Sequence, residues 1–308
     1  SGFIDEVRVE KLVRHAMDIQ TMYNNMNFTP ISASSTPFYT IGQPEGRRVA
    51  VRLGYAGVPA DWYSAAWQNR KKLTIDKTKA SSTLTNFPVL ISLGNDTDLS
   101  GSAQSDADDI IFTQADGITK LPHEIEEYTS TGSLTAWVQV PELSDTQDLD
   151  IYMYYNNPRA KNSEQPSIVW NNGYAGVWHL QEDQAGTGNL ALYQDSTSRN
   201  NDGDDQVSAT GQSGQIAGGQ QFDGVDDYVD LDSHIADYAS LSEGSVSIWF
   251  NYTDISELKI LFSASTNTDA SSDIDIMYYQ ADNVFISGIR EDGVNVWNCS
   301  VPASYADG

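Results

Sequence analysis

Around Phe222 the chain reads FDGVDDYVDL, an aromatic residue, an acidic turn and an apolar run. Phe222, Tyr228, Val229 and Leu231 flank Asp223, Gly224, Val225, Asp226 and Asp227. Asp-Gly is a tight-turn signal, because glycine takes positive φ at little cost. The stretch therefore reads as strand, acidic turn, strand. Residues 245–250, SVSIWF, begin in strict alternation and end more apolar, as a strand entering a core does. Similar runs recur at 86–91, 108–112, 121–126, 134–141 and 151–156, with turn residues between them. That spacing predicts an all-β chain of antiparallel sandwich or jelly-roll modules.

The helical period is confined to residues 12–23, where Leu12, Ala16, Ile19 and Tyr23 lie three or four apart. At 308 residues the chain has room for about two domains. Sixteen tyrosines and seven tryptophans favour strands. Lys and Arg number 17 against 43 Asp and Glu, for a net charge of −26. Nucleic-acid binding needs a basic surface, so this acidity argues against it. The same acidity suits a secreted or surface-exposed protein and hard cations such as Ca²⁺. Cys299 is the sole cysteine, which excludes an intrachain disulfide and a thiolate metal cluster. No apolar run approaches the length of a membrane span.

Several motifs resemble known families. The order W-x-x-RK-x-L-x-I from Trp67, NFPVLI at 86–91, DDIIFTQADGITKLPHEIE at 108–126, AWVQVP at 136–141 and IYMYYNN at 151–157 resembles a domain family of unknown function. That family occurs beside laminin-G-like modules in bacterial and archaeal surface proteins. YAGVWHL at 174–180, the FDG turn and SVSIWF are similar to the opening strands of the laminin-G-like, concanavalin A-like sandwich. GFIDEVR at 2–8, with Arg14, Ile19 and Tyr23-Asn24-Asn25, resembles the closing strand and turn of the same module. The expected domains are therefore 1–45, the end of one such sandwich; 46–66, a connector; 67–165, a sandwich of unknown function; and 166–308, the beginning of a laminin-G-like sandwich.

A sandwich split between the two ends of a chain must find its missing strands. Either the chain is a window onto a longer repeat protein, or the N-terminal strand completes a neighbouring copy. The second route satisfies an open sheet edge in trans and builds a head-to-tail filament. Phe3, Ile4, Val7 and Val9 would carry that contact. The function implied is a non-enzymatic, extracellular structural or adhesive surface protein. The alternative is a carbohydrate-binding accessory module of a secreted polysaccharide-active protein.

Candidate chemistry is sparse. Glu124 and Glu126 lie on one strand face, the arrangement a retaining glycosidase needs, but Tyr128 stands where a third acid would follow. Four scattered histidines show no metal spacing, and His179 reads as a packed histidine at the core edge. Asp223, Asp226 and Asp227 are the candidate Ca²⁺ ligands, against the plainer role of capping the turn. Trp297 and Tyr278 are candidates for stacking on a sugar ring, against core packing. The glycine-rich stretch 211–219 reads as a loop.

Overall fold

The computed structural model describes residues 2–26, 38–47, 50–52, 55–57, 60–183, 185–208, 212–239, 243–252, 259–265, 273–279, 284–291 and 294–302. From residue 264 onward the description is of the backbone alone. The main elements in chain order are β1 (Gly2–Glu10), α1 (Ala16–Met26), β2 (Tyr39–Ile41), β3 (Asn69–Ile75), β4 (Leu84–Leu93), α2 (Thr97–Ser102), β5 (Ile111–Gln114), β6 (His123–Tyr128), β7 (Leu134–Leu143) and β8 (Leu149–Tyr155). They continue with α3 (Pro166–Val169), β9 (Tyr174–Trp178), β10 (Gly218–Phe222), β11 (Ser245–Tyr252), β12 (Lys259–Ser265), β13 (Asp273–Tyr279), β14 (Val284–Glu291) and β15 (Val294–Pro302). The protein is all-β, and the ladders recorded between these strands are antiparallel.

Two sheets make the middle sandwich. One has the order β2-β3-β8-β5, extended by the two-residue strand Lys120–Leu121; the other has the order β6-β7-β4. Strand β7 is almost continuously buried, because both of its faces are covered. Trp137 packs on Trp170, and Gln139 donates to the carbonyls of Ile168 and Val169 at the end of α3. By alternation Ala136, Val138 and Val140 turn to the other sheet. Strand β4 has β7 on one edge. Its other edge is capped by side chains of the N-terminal segment. Asn25 of α1 donates to Pro88 O at 3.0 Å and accepts from Leu90 N at 2.9 Å, while the Tyr39 hydroxyl does the same at Ser92. Pro88 lacks an N–H, so an edge position suits it.

The end sandwich is organised around β1. Its residues Val7–Glu10 pair with β9, Gly2–Ile4 pair with β10, and the opposite edge pairs with β11 along its whole length. The N-terminal strand is thus central in a sheet whose other members all come from the last 135 or so residues of the chain, and it is paired in cis. Ile4, Val7 and Val9 pack on Ala175, Trp178, Leu180, Tyr193 and Val207. Ile4 and Val7 are three apart yet share a face. The β1–β11 register shifts between Asp5 and Val7, so Glu6 is an extra residue, with φ of 53°. This bulge flips the phase of the strand and sends Glu6 and Arg8 away from the apolar core.

The FDG stretch differs from its sequence reading in one respect. Both flanks are strands, but they do not pair with each other. Phe222 ends β10, while Tyr228–Asp230 pairs with Asp204–Gln206. The expected loop at 211–219 also holds strand: Gln212–Ser213 pairs with the start of β10. Strands β12 to β15 form a separate antiparallel meander. Among the described residues no helix is long and apolar enough to cross a membrane.

Candidate functional site

Where β6 of the middle sandwich faces β1 and β9 of the end sandwich, six ionisable side chains are buried together: Asp5, Glu6, Arg8, Glu124, Glu126 and His179. Buried charge is expensive unless it is paired and hydrogen-bonded. Here most of it is. Arg8 directs Nε (3.1 Å) and Nη2 (2.8 Å) at Glu6 Oε2. Its guanidinium lies 4.2 Å from the ring centre of Trp137 and 4.6 Å from that of Trp170, a cation held against two indoles. The other Glu6 oxygen meets His179 Nδ1 in a short hydrogen bond.

His179 is the hub. Its Nδ1 is also 3.3 Å from Glu126 Oε2, and its Nε2 is 3.3 Å from Glu124 Oε2. The ring stacks on Trp137 at 6.4 Å. Each indole N–H is used on the cluster: Trp137 donates to Glu126 Oε2 at 2.8 Å and Trp170 to Glu124 Oε2 at 2.5 Å. Ser196 donates to Glu124 Oε1 at 2.6 Å, and the backbone N–H of Ile216 to Asp5 Oδ2 at 2.8 Å. Glu126 Oε1 and Asp5 Oδ1 have no hydrogen-bond partner among the described residues.

These contacts divide the acids into two kinds. Burial alone would raise Glu6, but His179 and Arg8 outweigh it and hold the carboxyl down at about 2. Glu124 is likewise lowered by His179 against its burial. Glu126 is pushed well up by burial, with Glu6 adding to the effect against the pull of His179. Asp5 is raised to about 8 by burial and by the adjacent Glu6. Burial disfavours the His179 cation, yet three glutamates raise its pKa well above the ordinary value. The arrangement is a buried ionic core: its surroundings favour the charged forms of Glu6, Glu124 and His179 beside Arg8, and the protonated forms of Glu126 and Asp5.

His179 is therefore buried as expected, but as the hub of three carboxylates that favour its cation. Glu124 and Glu126 do share a face. The Glu126 side chain is fully buried and both acids are tied to indole N–H groups, so no open cleft lies between them for a sugar. Asp223, Asp226 and Asp227 come together on the surface, with one oxygen from each within 4.8 Å of the others. Asp223 Oδ1 accepts from Val225 N and Asp226 N, and Asp227 Oδ2 from Asp223 N. These bonds cap the turn around Gly224, whose φ is 77°. The side chains of Trp297 and Tyr278 lie outside the described residues; their backbones pair with Ile289 and Phe285. Phe3, Ile4, Val7 and Val9 all fall in β1. Glu6 and Arg8 were not singled out from sequence. Their signal is opposite charges at i and i+2 inside an apolar strand, beside a break in the apolar phase from Ile4 to Val7.

Residues 106–175 match a family described as a domain of unknown function (DUF2341). The matched stretch holds β5 to β8 and α3 and ends inside β9, so it includes Glu124 and Glu126. No curated protein and no solved structure matches the chain.

Proposed function

We propose that this chain is a non-enzymatic structural or adhesive module of an extracellular surface, built from a sandwich of unknown function joined to a laminin-G-like sandwich that β1 closes. The observation that carries the reading is the central place of β1, paired along both edges with β9, β10 and β11. A sheet whose middle strand comes from the far end of the chain has an acceptor groove and a matching donor in one polypeptide. The same strand given to a neighbouring copy would link copies head to tail. The surface acidity and the Asp223, Asp226 and Asp227 cluster support Ca²⁺ as a ligand of that assembly.

The test is the size of the full chain, by light scattering and negative-stain microscopy across a concentration series, with and without Ca²⁺. A synthetic peptide of residues 2–10 is added in parallel. Polymers that shorten when the peptide competes for the acceptor groove are the expected result. A chain that stays monomeric at every concentration, unaffected by peptide, refutes assembly through β1.

A further inference from the structure

Three strands lose their regular geometry at one place. Glu6 is the bulged, left-handed residue of β1. The β6–β7 register shifts between Ile125 and Glu127, which makes Glu126 the extra residue there. His179 directly follows β9, and Leu180 after it has φ of 55°. A non-glycine residue at positive φ costs about 1–3 kcal/mol and persists only where its surroundings impose it. Bulges of this kind re-aim side chains, and these three aim at one buried volume.

What they bring together is a donor set. One ligand atom each from Glu6, Glu126 and His179 lies within 4.8 Å of the other two. A tetrahedral zinc ion with bonds of about 2.0–2.2 Å keeps its donors roughly 3.3–3.6 Å apart. The 3.3 Å from His179 Nδ1 to Glu126 Oε2 meets that spacing, whereas Glu6 Oε1 and His179 Nδ1 share a short hydrogen bond and would move apart as the ion replaces its proton. Glu126 Oε1 is buried without a hydrogen-bond partner among the described residues. Outer contacts orient two of the ligands, Arg8 on Glu6 and the Trp137 indole on Glu126, and Glu124 Oε2 lies 3.3 Å behind the far nitrogen of His179 without a hydrogen bond. Carboxylates placed behind a ligating imidazole are a recurrent feature of zinc sites.

We propose that Glu6, Glu126 and His179 bind one divalent transition-metal ion, zinc by the chemistry of the donors, fastening β1 to β6 and β9. Glu6 Oε1, His179 Nδ1 and the Glu126 carboxylate are the ligands. An imidazole nitrogen with two carboxylates selects zinc-type ions over Ca²⁺ and Mg²⁺, which prefer oxygen alone. The site is distinct from the exposed Asp223 cluster.

The experiment uses the full, tag-free chain, stripped by chelator and refolded from urea with Zn²⁺ or without it. Metal is counted by mass spectrometry, and affinity is measured against a chromophoric chelator. One Zn²⁺ per chain is expected, with affinity falling by about 100-fold or more in Glu126→Gln, a ligand loss exceeding the usual outer-contact effect. Asp223→Asn with Asp227→Asn leaves the zinc affinity unchanged. Should Glu126→Gln fail to fold, Co²⁺ on the unmodified chain decides the question: visible bands of a low-coordinate nitrogen–oxygen site, bleached by Zn²⁺, support the assignment. No stoichiometric metal, or zinc lost only in the surface variant, overturns it. The result is independent of the polymer measurement, so each reading can fail alone.

Discussion

Arg8 offers the sharpest test of how the two sandwiches are held together. In Arg8→Met the long aliphatic stem is retained, while the guanidinium lying over Trp137 and Trp170 is lost. Two consequences follow. Glu6 is left buried with only one of its two cationic partners, His179, and breaking such a buried pair costs up to about 3–5 kcal/mol. The desolvated cation–π contacts, worth up to about 2 kcal/mol, go as well. In chelator, where the cluster is metal-free, the charges of Glu6, Glu124, Arg8 and His179 sum to zero while Glu126 holds its proton. Arg8→Met leaves one uncompensated negative charge. Glu6→Gln in the same chain removes it, leaving Glu124 against His179. The double variant is therefore expected to be less destabilised than the sum of the two singles by about 2 kcal/mol, within the range for groups in direct contact. Urea unfolding followed by tryptophan fluorescence gives the four stabilities, with equal m-values required. Additivity within about 0.5 kcal/mol would show that the two residues act independently. The ionic-core account would then be wrong.

Three other expectations concern neighbouring elements. His123 is buried against Phe112, and burial, aided by Lys120, lowers its pKa to about 4. Its folded pKa lies below its unfolded value of 6.5. Its contribution is thus complete above pH 6.5 and is lost as pH falls towards 4. The slope is about 1.4 kcal/mol per pH unit, and the stability difference between the chain and His123→Gln measured across that window should show it. Asp195 accepts from the N–H groups of Val177, Thr197 and Asn201 and from the Thr197 hydroxyl. Asp195→Ala orphans these buried donors at about 1–3 kcal/mol each, and limited proteolysis should open the loop at 196–201. At Gly176 an added Cβ would sit 2.2 Å from the Trp178 ring. Gly176→Ala should cost about 1–3 kcal/mol and change the Trp178 environment in near-UV circular dichroism, whereas an unchanged midpoint would mean β9 can shift at no cost.

Much of the fold was written in local patterns. The apolar runs at 86–91, 134–141 and 151–156 became β4, β7 and β8, and the strand reading of 3–9 became β1. The helix was legible, but its start was not. Leu12 and Val13 precede α1 and are exposed, because the buried face is made by Thr21, Met22, Asn25 and Met26. Strand β10, GGQQF, was legible only from Phe222 and the turn after it, and its first two residues read as loop, because β propensity reports side-chain packing. Its order comes from backbone pairing to the open edge of β1. The cluster was illegible for a related reason. Glu124 and Glu126 are visible as a pair, but the partners that give them meaning sit on β1 and directly after β9, and sequence spacing does not report such contacts.

The ionic cluster also bears on why β1 docks in one register. With side chains alternating at a period of two, Ile4, Val7 and Val9 offer an apolar stripe that other short apolar segments could imitate, and a two-residue slip would still bury apolar groups. Arg8 lying over two touching indoles tolerates no such slip. Displaced by two positions, the Arg8–Glu6 pair would move together away from His179, and a carboxylate, Glu6 or Glu10, would face Trp137 and Trp170 in place of the guanidinium. Buried ion pairs add little net stability over well-packed apolar groups, but breaking one is costly, and that asymmetry penalises wrong registers more than it rewards the right one. The same logic applies whether the groove receives its own N-terminal strand or one from a neighbour. A donor must bring Glu6 on its bulge and Arg8 two residues later. Selectivity for this strand is thus set by charges hidden on the face opposite the apolar stripe.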